Sequence, residues 1–214
     1  MTVSVLDGKT LVALGDSLIY GCWLGNKATW VNKLGVKHNM TVYNHGVNSN
    51  TLAKQDAETA TPPMCERYAQ MEDGADYVVV LGGANDRRLN VPIGKTDSRD
   101  PYCFKGAVNV LIDGLTTKYP RAKILFMTNY RRWSNPNGIG LYDRDYVDAM
   151  LEVCAERSVP CFDNYRGAGI SFFNPGQLSW IDEGITIGKG ENHHFSDEAY
   201  DWLLPKYEHL LESL

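Results

Sequence analysis

The sequence predicts an α/β fold in which helices cover both faces of a parallel sheet. Short apolar runs recur at Thr10–Leu14, Met40–Tyr43, Tyr77–Leu81, Lys123–Met127 and Pro160–Phe162, the first four each the length of a buried strand. Longer stretches with helical apolar spacing lie between them, and strands that alternate with helices imply parallel pairing. The 214 residues are 43% hydrophobic and 22% charged, an ordinary globular composition long enough for one sizeable core. No repeat, low-complexity tract or charge block marks a boundary, so residues 1–214 are expected to form a single domain.

The first run, Thr10-Leu11-Val12-Ala13-Leu14, breaks at Gly15 into a turn. Phe104–Tyr119 has Val108, Leu111, Ile112 and Leu115 at helical spacing and stops at Pro120. Leu141–Arg157 carries Tyr146, Val147, Met150, Leu151 and Cys154 on one face. Ser196–Leu214 opens with Ser196-Asp197-Glu198, a capping and dipole signature, and is expected to bury Trp202, Leu203 and Leu210. Pro205 should kink that stretch or split it into two helices.

The net charge of −5 argues against nucleic acid or an anionic membrane as the primary partner. No apolar run is long enough to span a bilayer, and the first residues lack the basic flank and apolar stretch of a signal peptide. Cys22, Cys65, Cys103, Cys154 and Cys161 are odd in number and never spaced C-x-x-C. They read as small buried hydrophobes of a reducing, cytoplasmic compartment rather than as a disulfide framework or zinc site. No metal and no cofactor is expected.

In a parallel sheet, function collects beyond the carboxyl ends of the strands. Gly15-Asp16-Ser17-Leu18 occupies one such end. Its serine leaves the strand where free backbone N–H groups can bind a developing negative charge, although Asp16 or Ser17 could equally cap a helix. Asn44-His45-Gly46, Gly82-Gly83-Ala84-Asn85-Asp86 and Thr128-Asn129-Tyr130-Arg131-Arg132-Trp133 follow three further strands.

A serine hydrolase also needs a base, a group that orients it, and oxyanion donors. Of the five histidines, His38 and His209 are expected to face solvent, and His45 to shape its turn. His193 and His194 lie in a Gly-rich loop just before the last helix, from which they can reach back over the strand ends. Glu191, three residues before His194, can accept from its Nδ1–H and leave Nε2 toward Ser17. The alternative is a pair of solvated loop histidines.

The blocks Gly15-Asp16-Ser17-Leu18, Gly46, Gly83-Ala84-Asn85-Asp86 and Glu191-Asn192-His193-His194-Phe195-Ser196-Asp197-Glu198-Ala199-Tyr200 resemble, in order and spacing, the four motif blocks of the SGNH (GDSL) hydrolases. They span nearly the whole chain. The resemblance implies a flavodoxin-like three-layer α/β/α sandwich of about five parallel strands. It also implies Ser17 as nucleophile, His194 as base, and an oxyanion hole formed by the backbone N–H groups of Ser17 and Gly46 and the amide of Asn85. The family usually places Asp where this chain has Glu191, so Asp182 is the reserve acid and His193 the reserve base.

Trp23, Arg131 and Trp133 are the candidate substrate-binding residues, because aromatic and cationic groups on the rim suit a polar acyl ester. Trp23 and Trp133 could instead pack on the core edge. The expected function is a serine esterase for short-chain O-acyl esters, a carbohydrate O-deacetylase with a small-molecule or glycan ester as its partner. The alternatives are a thioesterase or lysophospholipase, or a catalytically silent sugar-binding domain. Nothing in the sequence indicates an oligomeric state.

Overall fold

The computed structural model describes residues 3–22, 24–25, 28–56, 61–181 and 194–214. Five strands, β1 (Thr10–Gly15), β2 (Thr41–Gly46), β3 (Tyr77–Leu81), β4 (Lys123–Met127) and β5 (Cys161–Phe162), form one sheet in the order β2-β1-β3-β4-β5. All pairs are parallel; Gly15 lies opposite Gly46 on one side and Leu81 on the other. Eight α-helices are described: α1 (Ser17–Tyr20), α2 (Trp30–Lys37), α3 (Met64–Arg67), α4 (Ala84–Arg88), α5 (Phe104–Lys118), α6 (Asp143–Glu156), α7 (Asn164–Gly167) and α8 (Asp197–Glu212).

The two faces of each strand divide the core, as side chains alternating with period two must. Leu11, Ala13, Val79, Leu81 and Met127 pack with α2 and α8 through Trp30, Leu34, Leu203 and Tyr207. Val12, Leu14, Val78, Val80 and Phe126 pack with α5 and α6 through Phe104, Val108, Leu111, Met150 and Val153. The result is the expected three-layer α/β/α sandwich. No described helix is long and apolar enough to cross a membrane, and none of the five cysteines is in a disulfide.

Two expectations are corrected, and of the two outcomes expected for Pro205 the split is ruled out. Pro205 does not split the last stretch, because α8 runs unbroken from Asp197 to Glu212. Pro205 lies on the exposed side, while Leu203, Tyr207 and Leu211 hold both halves to the core. Trp202 is not buried but 42% exposed; it lies off the Ala199–Leu203–Tyr207 stripe, and its ring is tilted against that of Trp180 with centroids 5.4 Å apart. His38 is buried rather than solvated. Its Nδ1 lies 2.7 Å from Asp7 Oδ1 and its Nε2 2.6 Å from Glu208 Oε1, two carboxylates distant in sequence.

Candidate active site

The chain leaves β1 through Gly15 and enters α1 at Ser17. Asp16 caps that helix, its Oδ1 accepting from Leu18 N–H at 2.9 Å. Burial raises the Asp16 carboxyl pKa, opposed first by the charge of Arg132 and then by the Leu18 bond and the charge of His194. Ser17 thus has its backbone at the first turn and its Oγ over the rim.

His194 Nε2 lies 2.8 Å from Ser17 Oγ. The imidazole is held from the C-terminal side. Phe195 bridges to Ile181, and its ring packs edge-on against Tyr130 and Tyr200 and is stacked with Phe172. Ser196 then caps α8, accepting from Ala199 N–H at 3.2 Å, a good cap for a helix start.

Asn85 is in the first turn of α4, whose N-cap Gly83 has φ 111, a left-handed conformation that favours glycine. Its Nδ2 donates to Asn50 O at 3.0 Å, and its Oδ1 accepts from Arg88 Nε at 3.2 Å. One amide hydrogen therefore remains for another acceptor. Gly46 is required sterically, since a Cβ there would come within 2.1 Å of Tyr20 N. Its N–H donates to Asn44 Oδ1 at 2.9 Å. An oxyanion role for that N–H requires the bond to be released.

Three buried ionic residues that the sequence reading missed build this rim. Arg67 donates from Nη1 to His45 O at 3.0 Å, from Nη2 to Gly15 O at 3.2 Å and to Asn50 Oδ1 at 3.0 Å. It ties the ends of β1 and β2 to the next loop, and burial lowers its pKa to about 10. Asp86 accepts from the N–H groups of Leu52 and Ala53 at 3.0 and 2.9 Å. Burial pushes its pKa up to about 7 against those bonds. Asp143 accepts from the N–H groups of Arg132 and Trp133 at 2.8 and 2.9 Å and fixes the loop after β4. Only Asp86 had a sequence signal, its place beside Asn85.

Of the substrate-binding candidates, Arg131 is exposed, its guanidinium 4.7 Å over the Phe173 ring. Trp133 is half-buried with the Arg87 guanidinium 4.6 Å over it. Trp23, Glu191, Asp182 and His193 lie outside the described residues. Among the described residues, no group of three or more His, Cys, Asp and Glu could hold a metal ion.

The GDSL-like lipase/acylhydrolase family profile matches residues 13–202. A search of curated proteins found no match. One crystal structure is 32% identical over 98% of both chains, with a TM-score of 0.87. A protein from Lactobacillus plantarum is 25% identical over 97% of this chain and 98% of its own, with a TM-score of 0.83. The aryl esterase of M. smegmatis, solved with an inhibitor, shares the fold at 15% identity and a TM-score of 0.70, over 96% of this chain and 99% of its own. With the profile spanning both Ser17 and His194, the chain belongs to the GDSL-like lipase/acylhydrolase family.

Proposed function

We propose that this hydrolase is a serine esterase for short-chain O-acyl esters of a polar alcohol, with an acetylated carbohydrate as the substrate class. The observation that carries the reading is the 2.8 Å contact between Ser17 Oγ and His194 Nε2, within hydrogen-bond reach for a nucleophile and its base. Nε2 takes the Ser17 proton as Oγ adds to the ester carbonyl. The oxyanion is met by Ser17 N–H, the second hydrogen of Asn85 Nδ2, and the N–H of Gly46 at the end of β2, once released from Asn44. Collapse expels the alcohol, which takes its proton from His194. Water then releases the acid from Ser17 by the same steps in reverse order.

Glu191 is the acid we assign to orient His194, with Asp182 in reserve. The preference for a polar ester is supported by the cationic and aromatic side chains of the loop after β4, Arg131, Arg132 and Trp133; Trp23 is assigned to the same subsite. Activity on p-nitrophenyl esters should fall steeply from acetate toward octanoate. A maximum at octanoate would favour a lysophospholipase or thioesterase. No turnover of any ester would favour a silent sugar-binding domain.

A further inference from the structure

Among the described residues, Nε and Nη2 of Arg132 and Oδ1 and Nδ2 of Asn129 are enclosed with no hydrogen-bond partner, as are Oδ2 of Asp16 and Oδ1 of Asp143, the two carboxylates whose charge Arg132 partly offsets. Arg132 and Asn129 are only 6% and 2% exposed. Buried donors and acceptors in native proteins are nearly always satisfied, so such a cluster calls for an occupant. Arg132 and Asn129 belong to the loop after β4, at the carboxyl edge where Ser17 and Asn85 also lie.

Their placement is specific. The Arg132 guanidinium lies 5.7 Å over the Phe172 ring. Phe172 in turn stacks 5.3 Å from Phe195, the neighbour of His194. The Arg132 charge is the largest influence opposing the raised pKa of Asp16, the residue before Ser17. The Arg132 backbone is held by Asp143, so the side chain starts from a fixed point. Asn129 stands beside Gly83, where a Cβ would lie 3.8 Å from its own.

The two unpartnered guanidinium nitrogens are informative in kind. Nε and Nη2 present the parallel pair of N–H groups on one edge of the fork, which matches the two oxygens of a carboxylate. A lone hydroxyl would satisfy only one. Asn129 Nδ2 adds a donor.

We propose that Arg132 and Asn129 form a carboxylate-binding subsite next to Ser17, so that the preferred ester carries a free carboxylate. This rests on Ser17 being the nucleophile of an ester hydrolase and refines the substrate class of that site. The carboxylate belongs either to the acyl half, as in a dicarboxylic half-ester, or to the alcohol half.

The test compares two matched pairs, p-nitrophenyl hemisuccinate with p-nitrophenyl butyrate, and 4-acetoxybenzoate with its methyl ester. One charged member should exceed its neutral match in kcat/KM by roughly ten- to a hundredfold, as a bidentate charge-assisted contact allows. Which pair shows the preference identifies the half that carries the carboxylate. In Arg132→Gln the ratio should fall to within a few-fold of one. Turnover of all four esters with no charge preference would overturn the subsite and leave the esterase reading standing. Absence of turnover on all four would count against the esterase reading, and ligand binding then decides the subsite. Succinate should bind the wild-type protein at least about tenfold more tightly than succinamide. Equal binding overturns the proposal even if Arg132→Gln fails to fold.

Discussion

Tyr200 of α8 donates its hydroxyl to the carbonyl of Leu18 in α1 at 2.8 Å. The bond joins the helix that follows His194 to the one that begins at Ser17. Ser17 and His194, the proposed nucleophile and base, come from opposite ends of the chain, and this buried contact ties together the helices beside them.

Tyr200→Phe removes that contact and leaves the Leu18 carbonyl buried without its donor. Stability should fall by about 1 kcal/mol. The loss of alignment should lower kcat by roughly three- to tenfold with KM little changed, since positioning acts on the chemical step. A stability loss with kcat intact would make Tyr200 structural only.

Asn85→Ala tests the proposed oxyanion role of the Asn85 amide. Turnover should drop on the order of a hundredfold at nearly constant KM. A rise in KM alone would move Asn85 to ground-state binding. The bond from Asn85 to Asn50 O is also lost, so the variant's melting temperature is measured alongside.

The fold was legible where local pattern and tertiary packing agree. All five apolar runs became strands within a few residues of their expected limits, and Phe104–Lys118 and Asp143–Glu156 lie inside the stretches read as helices. Trp30–Lys37 was not read as a helix. It is only eight residues long, too short to establish a period, and its docking onto the sheet compensates. His38 and Arg67 were illegible for another reason. Their meaning lies in partners far along the chain: Asp7 and Glu208 for one, Gly15 and Asn50 for the other. Arg132 was passed over in favour of its neighbours Arg131 and Trp133, because sequence cannot say which of three consecutive loop side chains turns inward.

His38 should make stability depend on pH. Burial opposes its protonation, but hydrogen bonds to Asp7 and Glu208 and their charges outweigh it, and its pKa is raised above the model-peptide value of 6.5. A group whose folded pKa is raised stabilises below its unfolded pKa and loses that contribution as pH climbs through the folded value. Asp7 and Glu208 are shifted down, so their contribution is lost as pH falls through their depressed values. The cluster therefore stabilises most in mildly acidic solution. Unfolding free energies from urea titrations of wild type and His38→Gln should differ more at pH 6 than at pH 8.5, by about 1 kcal/mol at the lower pH. An equal difference at both would show that the charge on His38 contributes nothing.

Glu191→Gln should preserve folding and cut kcat strongly, while Glu191→Asp retains part of the activity, because a carboxylate on Nδ1–H fixes the tautomer and stabilises the imidazolium. Asp182→Asn should be nearly silent. The reverse pattern would transfer the role to Asp182, and silence in both would leave a Ser17–His194 dyad.

The most direct measurement is mass spectrometry of the protein after treatment with an organophosphonate, paired with ester turnover by Ser17→Ala. Nucleophilic catalysis by Ser17 predicts one adduct, on Ser17, and a loss of roughly a thousandfold or more in turnover for a variant that still folds. An adduct on another residue, or full activity in Ser17→Ala, would contradict it.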